Sequence, residues 1–255
     1  MKELLKIIYV LLFRSRLFST IKINFKMLPF NQAIHFPIVV YSKTVFRSLK
    51  GRIEIKGNVD FDMISIGQQG YVATTKPVSN WTIEGTIVFY GCVAFYQGTY
   101  LLVAKDAVLT FGNVKSSENF GKSSISMGSN TKIMCFESIT IGDSTHAAWD
   151  VQLMDSSFHY IEKNCEEAQP LTKPIVIGDK VWLNNRTTIS RGAIIPSNSI
   201  ISSNSMVNKD LSSCGENCLF AGSPAVKKSE GLTRVWDEHK QAEYDKRFGY
   251  NRAHL

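Results

Sequence analysis

The sequence has no long apolar run. Its most apolar N-terminal stretch, IIYVLLF at residues 7–13, is much shorter than the roughly 20 residues that a membrane-spanning helix needs. Arg14 and Arg16 follow this stretch, where a secretory signal peptide would have a small-residue cleavage site. We therefore expect a cytoplasmic protein. The basic and apolar segment MKELLKIIYVLLFRSR is expected either to cover one end of the fold or to associate peripherally with the inner face of a membrane.

Residues that form disulfides or bind metals are also scarce. The chain has five cysteines, an odd number, and Cys214 and Cys218 are separated by three residues rather than the two of a zinc knuckle. This spacing argues against a disulfide framework and predicts the reduced thiols of a cytosolic protein. There are also five histidines, and His146 and His159 are too far apart in sequence to form a compact ligand pair. We expect no metal.

The charge of the chain is only mildly positive. It has 29 Lys and Arg against 22 Asp and Glu, a net charge of +7, which suits an anionic ligand, a phosphate group or an acidic membrane surface. No basic stripe is interleaved with aromatic residues, so nucleic acid is not an expected partner. A chain of 255 residues with 44% hydrophobic residues fits a folded protein with one large core or two small ones.

A repeat of six residues begins at residue 176. From there the chain divides into VIGDKV, WLNNRT, TISRGA, IIPSNS, IISSNS and MVNKDL. Helices and strands repeat every 3.6 and 2 residues, so neither has this period. The sixth residue of each hexad is mostly small. The second is always aliphatic, at Ile177, Leu183, Ile189, Ile195, Ile201 and Val207.

A period of six is typical of a solenoid in which each hexad forms a short strand and a corner, and three hexads close one triangular coil. Ile141, Ala147 and Leu153 continue the phase upstream, and an irregularity of two residues occurs near CFES at 135–138. The charged stretch SSFHYIEKNCEEAQPLTKP separates two segments that share the phase. We therefore predict a protruding loop of about residues 155–175.

The predicted fold class is an all-β solenoid in three parts. Residues 1–50 form an N-terminal cap, residues 51–225 form the solenoid, and residues 226–255 form a C-terminal tail. The tail lacks the hexad and contains LTRVWDEHKQAEYDKRF, which predicts a short C-terminal helix.

The repeats resemble those of a known family. The block IGDKVWLNNRTTISRGAIIPSNSIISSNSMVNKDL, the later AGSPA and the preceding ITIGDSTHAAWDVQLMDSSFHYI resemble hexapeptide-repeat acyltransferases, and among them bacterial polysaccharide and sugar O-acetyltransferases. The resemblance implies a left-handed parallel β-helix, a homotrimer, acetyl-CoA as acyl donor and a sugar or glycan acceptor.

The same resemblance implies that His159 is the general base. A neutral imidazole with an ordinary pKa near ~6.5 is suited to accept a proton from a sugar hydroxyl as that oxygen attacks a thioester. Asp155 has two open interpretations. It either fixes the tautomer of His159, as the carboxylate of a catalytic triad does, or caps the turn where the loop departs.

Cofactor and acceptor contacts are carried over by position. The resemblance implies that Trp149 and Asp150 border the acceptor site, although Trp149 is also suited simply to cover the solenoid. The residues implied to bind acetyl-CoA are Trp182, Asn185, Ser202, Asn208 and Lys209. A lysine ammonium at the last of these positions suits the 3′-phosphate of CoA.

Two other functions remain open. An N-acetyltransferase acting on a nucleotide-linked amino sugar also needs a base, so His159 does not separate it from an O-acetyltransferase. A non-catalytic solenoid that binds proteins through its flat faces predicts no response to acetyl-CoA and no effect of losing His159.

Overall fold

The structure is a computed structural model and describes residues 2–70, 78–114, 124–162 and 167–250. From residue 38 onward short strands dominate the chain. In chain order they are β1 (Ile38–Val40), β2 (Thr44–Leu49), β3 (Arg52–Ile55), β4 (Ile64–Gln68), β5 (Ser79–Ile83), β6 (Thr86–Phe89), β7 (Cys92–Tyr96), β8 (Tyr100–Val103), β9 (Val108–Phe111), β10 (Ser124–Met127), β11 (Lys132–Cys135), β12 (Ser138–Ile141), β13 (His146–Ala147), β14 (Gln152–Met154), β15 (Ile175–Ile177), β16 (Trp182–Leu183), β17 (Thr188–Ser190), β18 (Ile194–Ile195), β19 (Ile200–Ile201), β20 (Met206–Val207), β21 (Cys218–Gly222) and β22 (Ala225–Glu230).

These strands form three sheets, and up to β20 every third strand returns to the same sheet. Sheet A has the order β1-β4-β7-β10-β13-β16-β19-β21-β22, sheet B the order β2-β5-β8-β11-β14-β17-β20, and sheet C the order β3-β6-β9-β12-β15-β18. Among the described strands, every pairing is parallel except that of β21 with β22, which is antiparallel. Three consecutive strands therefore make one triangular coil. The predicted left-handed parallel β-helix is confirmed.

The hexads explain both the core and the corners. All six second-position aliphatics are buried, and so are all the sixth-position residues, which lie inside the corners. The fifth residue of each of the first five hexads has a positive φ, and this turns the chain into the next sheet. Asn and Gly adopt a positive φ at little conformational cost. These residues are Lys180, Arg186, Gly192, Asn198 and Asn204.

The solenoid begins earlier than expected. β1 and β2 already pair with the second coil, so the first coil starts at Ile38, inside the segment 1–50 that was assigned to the cap. The hexad is degenerate here because bulky aromatic residues fill the interior of these coils. Trp81, Phe89, Phe95 and Phe111 are fully buried, and the rings of Phe89 and Phe111 stack with centroids 5.2 Å apart.

Helices precede the first coil and close its open end. They are α1 (Lys2–Tyr9), a π-helical turn (Val10–Arg14), α2 (Leu17–Met27) and α3 (Phe30–Ala33). α2 lies against edge strand β1, where Asn24 Nδ2 donates to the Ile38 carbonyl (2.6 Å) and Asn24 Oδ1 accepts from the Ile38 N–H (3.2 Å). Thr20 Oγ1 accepts from the Val40 N–H (3.1 Å). The helix thus satisfies backbone groups that an open edge would expose.

The opposite end of the solenoid carries a hairpin and a short 3₁₀ helix, and the C-terminal helix follows them. β22 turns back antiparallel on β21, and a short 3₁₀ helix (Ser212–Cys214) precedes them. The predicted C-terminal helix, α4 (Glu238–Phe248), is present. It begins at Asp237, whose carboxylate accepts from the Lys240 N–H (2.7 Å), and ends at Gly249 in the left-handed conformation. Residues 251–255 of the predicted tail lie outside the described residues.

Candidate functional site

His159 lies on the predicted loop, which leaves the solenoid after β14 and returns at β15. Its side chain is exposed. The backbone beneath it is well held, because Ser157 Oγ donates to the His159 carbonyl (3.1 Å) and the neighbouring Phe158 ring packs edge-on against Phe136 at 5.0 Å. The imidazole is therefore presented to solvent from an ordered turn, where it can accept a proton from a bound hydroxyl.

The base of the loop is narrow and fastened to the next coil. Ser156 and Thr172 form an antiparallel bridge between the departing and returning chain. Arg191, on the following coil, donates from Nη1 to the Pro170 carbonyl (3.0 Å). The loop thus stands at the corner between sheets B and C, the B–C corner. Its residues 163–166 lie outside the described part of the chain.

Asp155 is buried at the root of this loop. Its Oδ1 accepts from the Phe136 N–H (2.8 Å) and its Oδ2 from the Glu137 N–H (2.9 Å). These two donors lie in the corner between β11 and β12, where the sequence departs from the six-residue period by two residues. Burial raises the pKa of the Asp155 carboxyl, and the backbone N–H groups partly oppose that effect. Both carboxylate oxygens thus face backbone donors in the corner of the preceding coil, which is neither His159 nor the turn where the loop departs.

A groove runs along the outer face of sheet A. Ser126, His146, Trp182 and Ile200 stack in register on successive strands of this sheet. Trp149 lines the groove beside them. The groove has a volume of about 770 Å³ and is open on one side.

The C-terminal tail forms the other wall of this groove. Thr233, Arg234 and Val235 cross it, and Gln241 and Tyr244 of α4 line it. The guanidinium carbon of Arg234 lies 5.5 Å from the Trp182 ring centroid and 4.5 Å from that of Trp236. Arg234 is thus held among aromatic rings by cation–π contacts.

His146 connects the two walls. Its Nδ1 lies 2.9 Å from Arg234 Nη1, and its ring packs edge-on against Trp236 with centroids 5.1 Å apart. Burial, followed by the Arg234 charge, lowers the pKa of His146 to about 4. The imidazole is therefore neutral near pH 7, and Nδ1 accepts the hydrogen bond from the guanidinium.

Sequence reasoning missed His146 and Arg234 as groove residues. His146 was weighed only as a metal ligand. It precedes Trp182 by one coil, so it occupies the same outward position on sheet A, and the repeat phase contained that signal. Arg234 lies in the tail outside the repeat, where no periodicity predicts its position.

The other predicted residues are divided between two corners. Trp149, Asp150, Asn185 and Ser202 lie at or beside the corner between sheets A and B, the A–B corner, with Asn185 Oδ1 accepting from Ser203 Oγ (2.6 Å). Asn208 and Lys209 lie exposed at the B–C corner, two coils beyond the His159 loop. The A–B corner adjoins the groove, which Trp149 and Trp182 both line.

One protomer does not bring His159 to this groove. In a three-sided solenoid the B–C corner lies opposite sheet A, whose outer face forms the groove. Within a single chain the expected base and the groove that Trp149 and Trp182 line therefore face different directions.

Two features are absent from the described residues. No helix there is both long and apolar enough to cross a bilayer. Across the same ranges, no three His, Cys, Asp or Glu side chains converge as they would around a metal ion.

Comparisons with known proteins relate the chain to O-acetyltransferases. It is 28% identical over 159 residues to the putative lipopolysaccharide biosynthesis O-acetyl transferase WbbJ of Escherichia coli K12, covering 53% of this chain and 80% of that protein. It is 35% identical over 89 residues to the galactoside O-acetyltransferase of the same organism, covering 34% of this chain and 41% of that protein. These similarities confirm the predicted resemblance.

Other comparisons add less. The solved structure of the polySia-specific acetyltransferase NeuO covers 82% of this chain and 87% of its own, with 18% identity and a TM-score of 0.47. No family model matches the chain.

Proposed function

We propose, from the resemblance of this chain to hexapeptide-repeat O-acetyltransferases, that it transfers an acetyl group from acetyl-CoA to a sugar hydroxyl in the synthesis of a surface polysaccharide. The presentation of His159 carries the proposal. An exposed imidazole stands on a hydrogen-bonded turn at the place where the resemblance implies a general base. The two O-acetyltransferase relatives support the choice of a hydroxyl over an amine.

The mechanism needs one proton carrier. Acetyl-CoA, when bound, supplies an activated acetyl group as a thioester. His159 accepts the proton of the sugar hydroxyl as that oxygen forms its bond to the acetyl carbon. The imidazolium then returns this proton to the departing sulfur, so that the free thiol and neutral His159 are regenerated. No covalent bond to the protein is required.

The described surface fits an elongated phosphorylated donor. Asn208 and the ammonium of Lys209 are exposed at the same corner as His159, and parallel coils are spaced by about 4.8 Å. A 3′-phosphate near Lys209 would therefore lie about 10 Å along the edge from the coil that bears the loop. Asn185 and Ser202 lie at the A–B corner and do not share that edge.

A homotrimer would unite these separated parts. In a closed threefold assembly a corner of one protomer approaches a face of the next. His159 of one subunit would then face the groove of its neighbour, with Trp149 and Asp150 around the acceptor and Trp182, an expected acetyl-CoA contact, where donor and acceptor meet. Donor contacts would likewise come from Lys209 of one subunit and Asn185 of another. The opposite placement of corner and groove in one chain supports this arrangement.

Thermal unfolding with acetyl-CoA tests the donor half of the proposal. A ligand at about a hundred times its dissociation constant adds about 2.7 kcal/mol to the free energy of unfolding. We expect this stabilisation in the wild type and equally in His159→Ala, because that side chain acts on the acceptor. Lys209→Ala should reduce it, while Lys180→Ala, at a different corner, should not. No shift at saturating cofactor would favour a non-catalytic binding solenoid.

Peripheral membrane association is part of the proposal. The N-terminal helices leave large apolar side chains in solvent, among them Leu5, Phe13 and Phe18, which is 88% exposed. Arg14 and Arg16 are exposed beside them. Apolar side chains flanked by cations match the chemistry of an anionic bilayer surface. Binding there would bring the protein to lipid-linked glycan intermediates.

Vesicle sedimentation tests this association. The full chain should bind vesicles that contain phosphatidylserine, and binding should weaken with salt. The double variant Leu5→Glu, Phe13→Glu should bind vesicles about tenfold more weakly or worse. Phe248 is an exposed apolar residue at the other end of the chain, and the control variant Phe248→Glu should bind as the wild type does. Equal binding of all three proteins would contradict a membrane role for the N-terminal helices.

A further inference from the structure

The groove on sheet A has a positive charge among aromatic walls. Of the described residues that line it, Arg234 is the one with a charged side chain. The remaining walls are aromatic, small or uncharged polar, and include Trp149, Trp182 and Ser126. Because His146 is neutral near pH 7, it adds no charge of its own. Among the described lining residues, the formal charge at the groove is therefore that of the Arg234 guanidinium.

Arg234 is held in place before any ligand arrives. Its guanidinium donates to His146 Nδ1 at 2.9 Å and lies over the rings of Trp182 and Trp236. The backbone around it lies in the irregular segment between β22 and α4. A side chain fixed in this way loses little rotamer freedom on binding, which favours recognition of a ligand over a purely solvated role.

The walls suit a sugar ring. An aromatic side chain such as that of Trp149 can pack against the apolar face of a pyranose, and hydroxyl side chains such as Ser126 and Ser129 can offer hydrogen bonds to its oxygens. A guanidinium beside such a wall complements a carboxylate or phosphate, because its planar N–H fork matches both groups.

We propose that Arg234 is a specificity-determining residue that recognises an anionic group, a carboxylate or a phosphate, on the sugar acceptor. His146 and Trp236 are positioning residues for it. This inference rests on the proposed function, since it assigns the groove to the acceptor, and it adds that acidic acceptors are preferred to neutral ones of similar size.

Equilibrium binding tests the inference without catalysis. The full-length His159→Ala protein is titrated by calorimetry with an oligosaccharide of glucuronic acid, a glucose oligosaccharide of the same length, and glucose 1-phosphate. We expect tighter binding of at least one anionic probe than of the neutral one. Arg234→Gln should weaken binding of that probe about tenfold or more and change the neutral probe less than about twofold. The probe whose binding depends on Arg234 shows whether the recognised group is a carboxylate or a phosphate.

Control variants separate recognition from folding. Arg247→Gln removes the same charge from α4 outside the groove, and should bind all probes as the parent protein does. Arg234→Lys keeps the charge and should retain an intermediate preference for the anion. If Arg234→Gln does not fold, the Arg234→Lys protein provides the test. If that protein prefers the anionic probe as strongly as the parent does, the planar N–H fork of the Arg234 guanidinium has no role in recognition.

The outcomes also distinguish this inference from the proposed function. Arg234-dependent binding of an anionic sugar without any acetyl transfer by the wild type would preserve the inference and remove the acetyltransferase. Acetyl transfer to neutral and acidic acceptors at equal KM values, reduced equally by Arg234→Gln, would overturn the inference and leave the acetyltransferase standing.

Discussion

His159 and Asp155 were both predicted as catalytic residues, and the structure places them in different environments. The imidazole of His159 is exposed, as a base that meets a second molecule must be. The Asp155 carboxylate is buried and accepts two backbone hydrogen bonds from the neighbouring corner. The D-x-x-x-H spacing could not distinguish the two interpretations of Asp155, since a capping and an orienting carboxylate occupy the same sequence position.

Replacing Asp155 by Asn separates these interpretations. The amide nitrogen would face a backbone donor at one of the two positions, so we expect a loss of about 1–3 kcal/mol in the free energy of unfolding. We also expect kcat, measured on folded protein below the transition, to change less than about threefold. A large fall in kcat with a shifted pH profile would instead show that Asp155 acts through His159.

His146 makes stability depend on pH. Its pKa falls from the ordinary 6.5 to about 4 on folding, because burial and then Arg234 oppose its protonation. Between these two values the unfolded chain binds a proton that the folded chain does not. The stabilisation is therefore complete above pH 6.5 and is lost as the pH falls toward 4. One pKa unit corresponds to about 1.36 kcal/mol, and partial solvent contact reduces the effect to about 1–2 kcal/mol.

His146→Gln tests this dependence. A glutamine oxygen can accept from Arg234 and does not titrate. Denaturant unfolding at pH 7 and pH 4.5 should show that the wild type loses about 1–2 kcal/mol more than the variant. Asp62 and Asp155, whose pKa values are raised by burial, occur in both proteins and cancel in the comparison. Parallel losses in the two proteins would contradict the prediction.

At the scale of elements, the hexads predicted the regular coils and the loop well. They place the inward aliphatics, the corners and the departure of the chain after Leu153, because each of these is set by a local period. The beginning of the solenoid at Ile38 was missed. Its first coils are filled by large aromatic rings, and rings from different strands fill a coil together rather than at a fixed spacing.

The sequence predicted a cap within residues 1–50 but not that helix α2 would provide it. Its decisive feature is a pair of hydrogen bonds from one amide, Asn24, to the edge strand at Ile38. Such a tertiary contact between a polar residue and an unpaired strand has no sequence period. The apolar residues exposed on the same helices leave room for the membrane role beside the capping one.

Asn24→Ala should destabilise the N-terminal end of the solenoid. It leaves a buried backbone N–H and carbonyl of Ile38 without partners, which costs about 2–4 kcal/mol in the free energy of unfolding. Lys22→Ala, an exposed change in the same helix, should cost less than about 0.5 kcal/mol. Hydrogen exchange should show the loss first in β1. Equal stability of the two variants would mean that α2 is not needed to close the edge.

At the scale of the whole molecule, the proposed site is divided between two sides of the solenoid. His159 stands at the B–C corner, and the groove with Trp182 lies on sheet A. The family resemblance implies a trimer. The six-residue repeat alone does not, because it determines only how one chain folds around its own core. A shared site would give the proposed trimer a chemical purpose.

Mixing two inactive subunits tests the shared site. His159→Ala and Trp182→Ala are co-expressed with different tags, and trimers that contain both are purified. Each mixed trimer has one interface with an intact His159 facing an intact Trp182, so we expect about a third of wild-type activity. Each homotrimer alone should be nearly inactive. Mixed trimers as inactive as their parents would place the whole site within one chain.

Acetyl transfer itself tests the central claim most directly. Release of CoA thiol is followed with acetyl-CoA and neutral or acidic oligosaccharide acceptors, for the wild type, His159→Ala and His239→Ala, an exposed histidine on α4. We expect acceptor-dependent turnover by the wild type and His239→Ala, and a loss of about 10²–10⁴ in kcat in His159→Ala with an unchanged melting temperature. Equal turnover by all three proteins would contradict the assignment of His159 as the base.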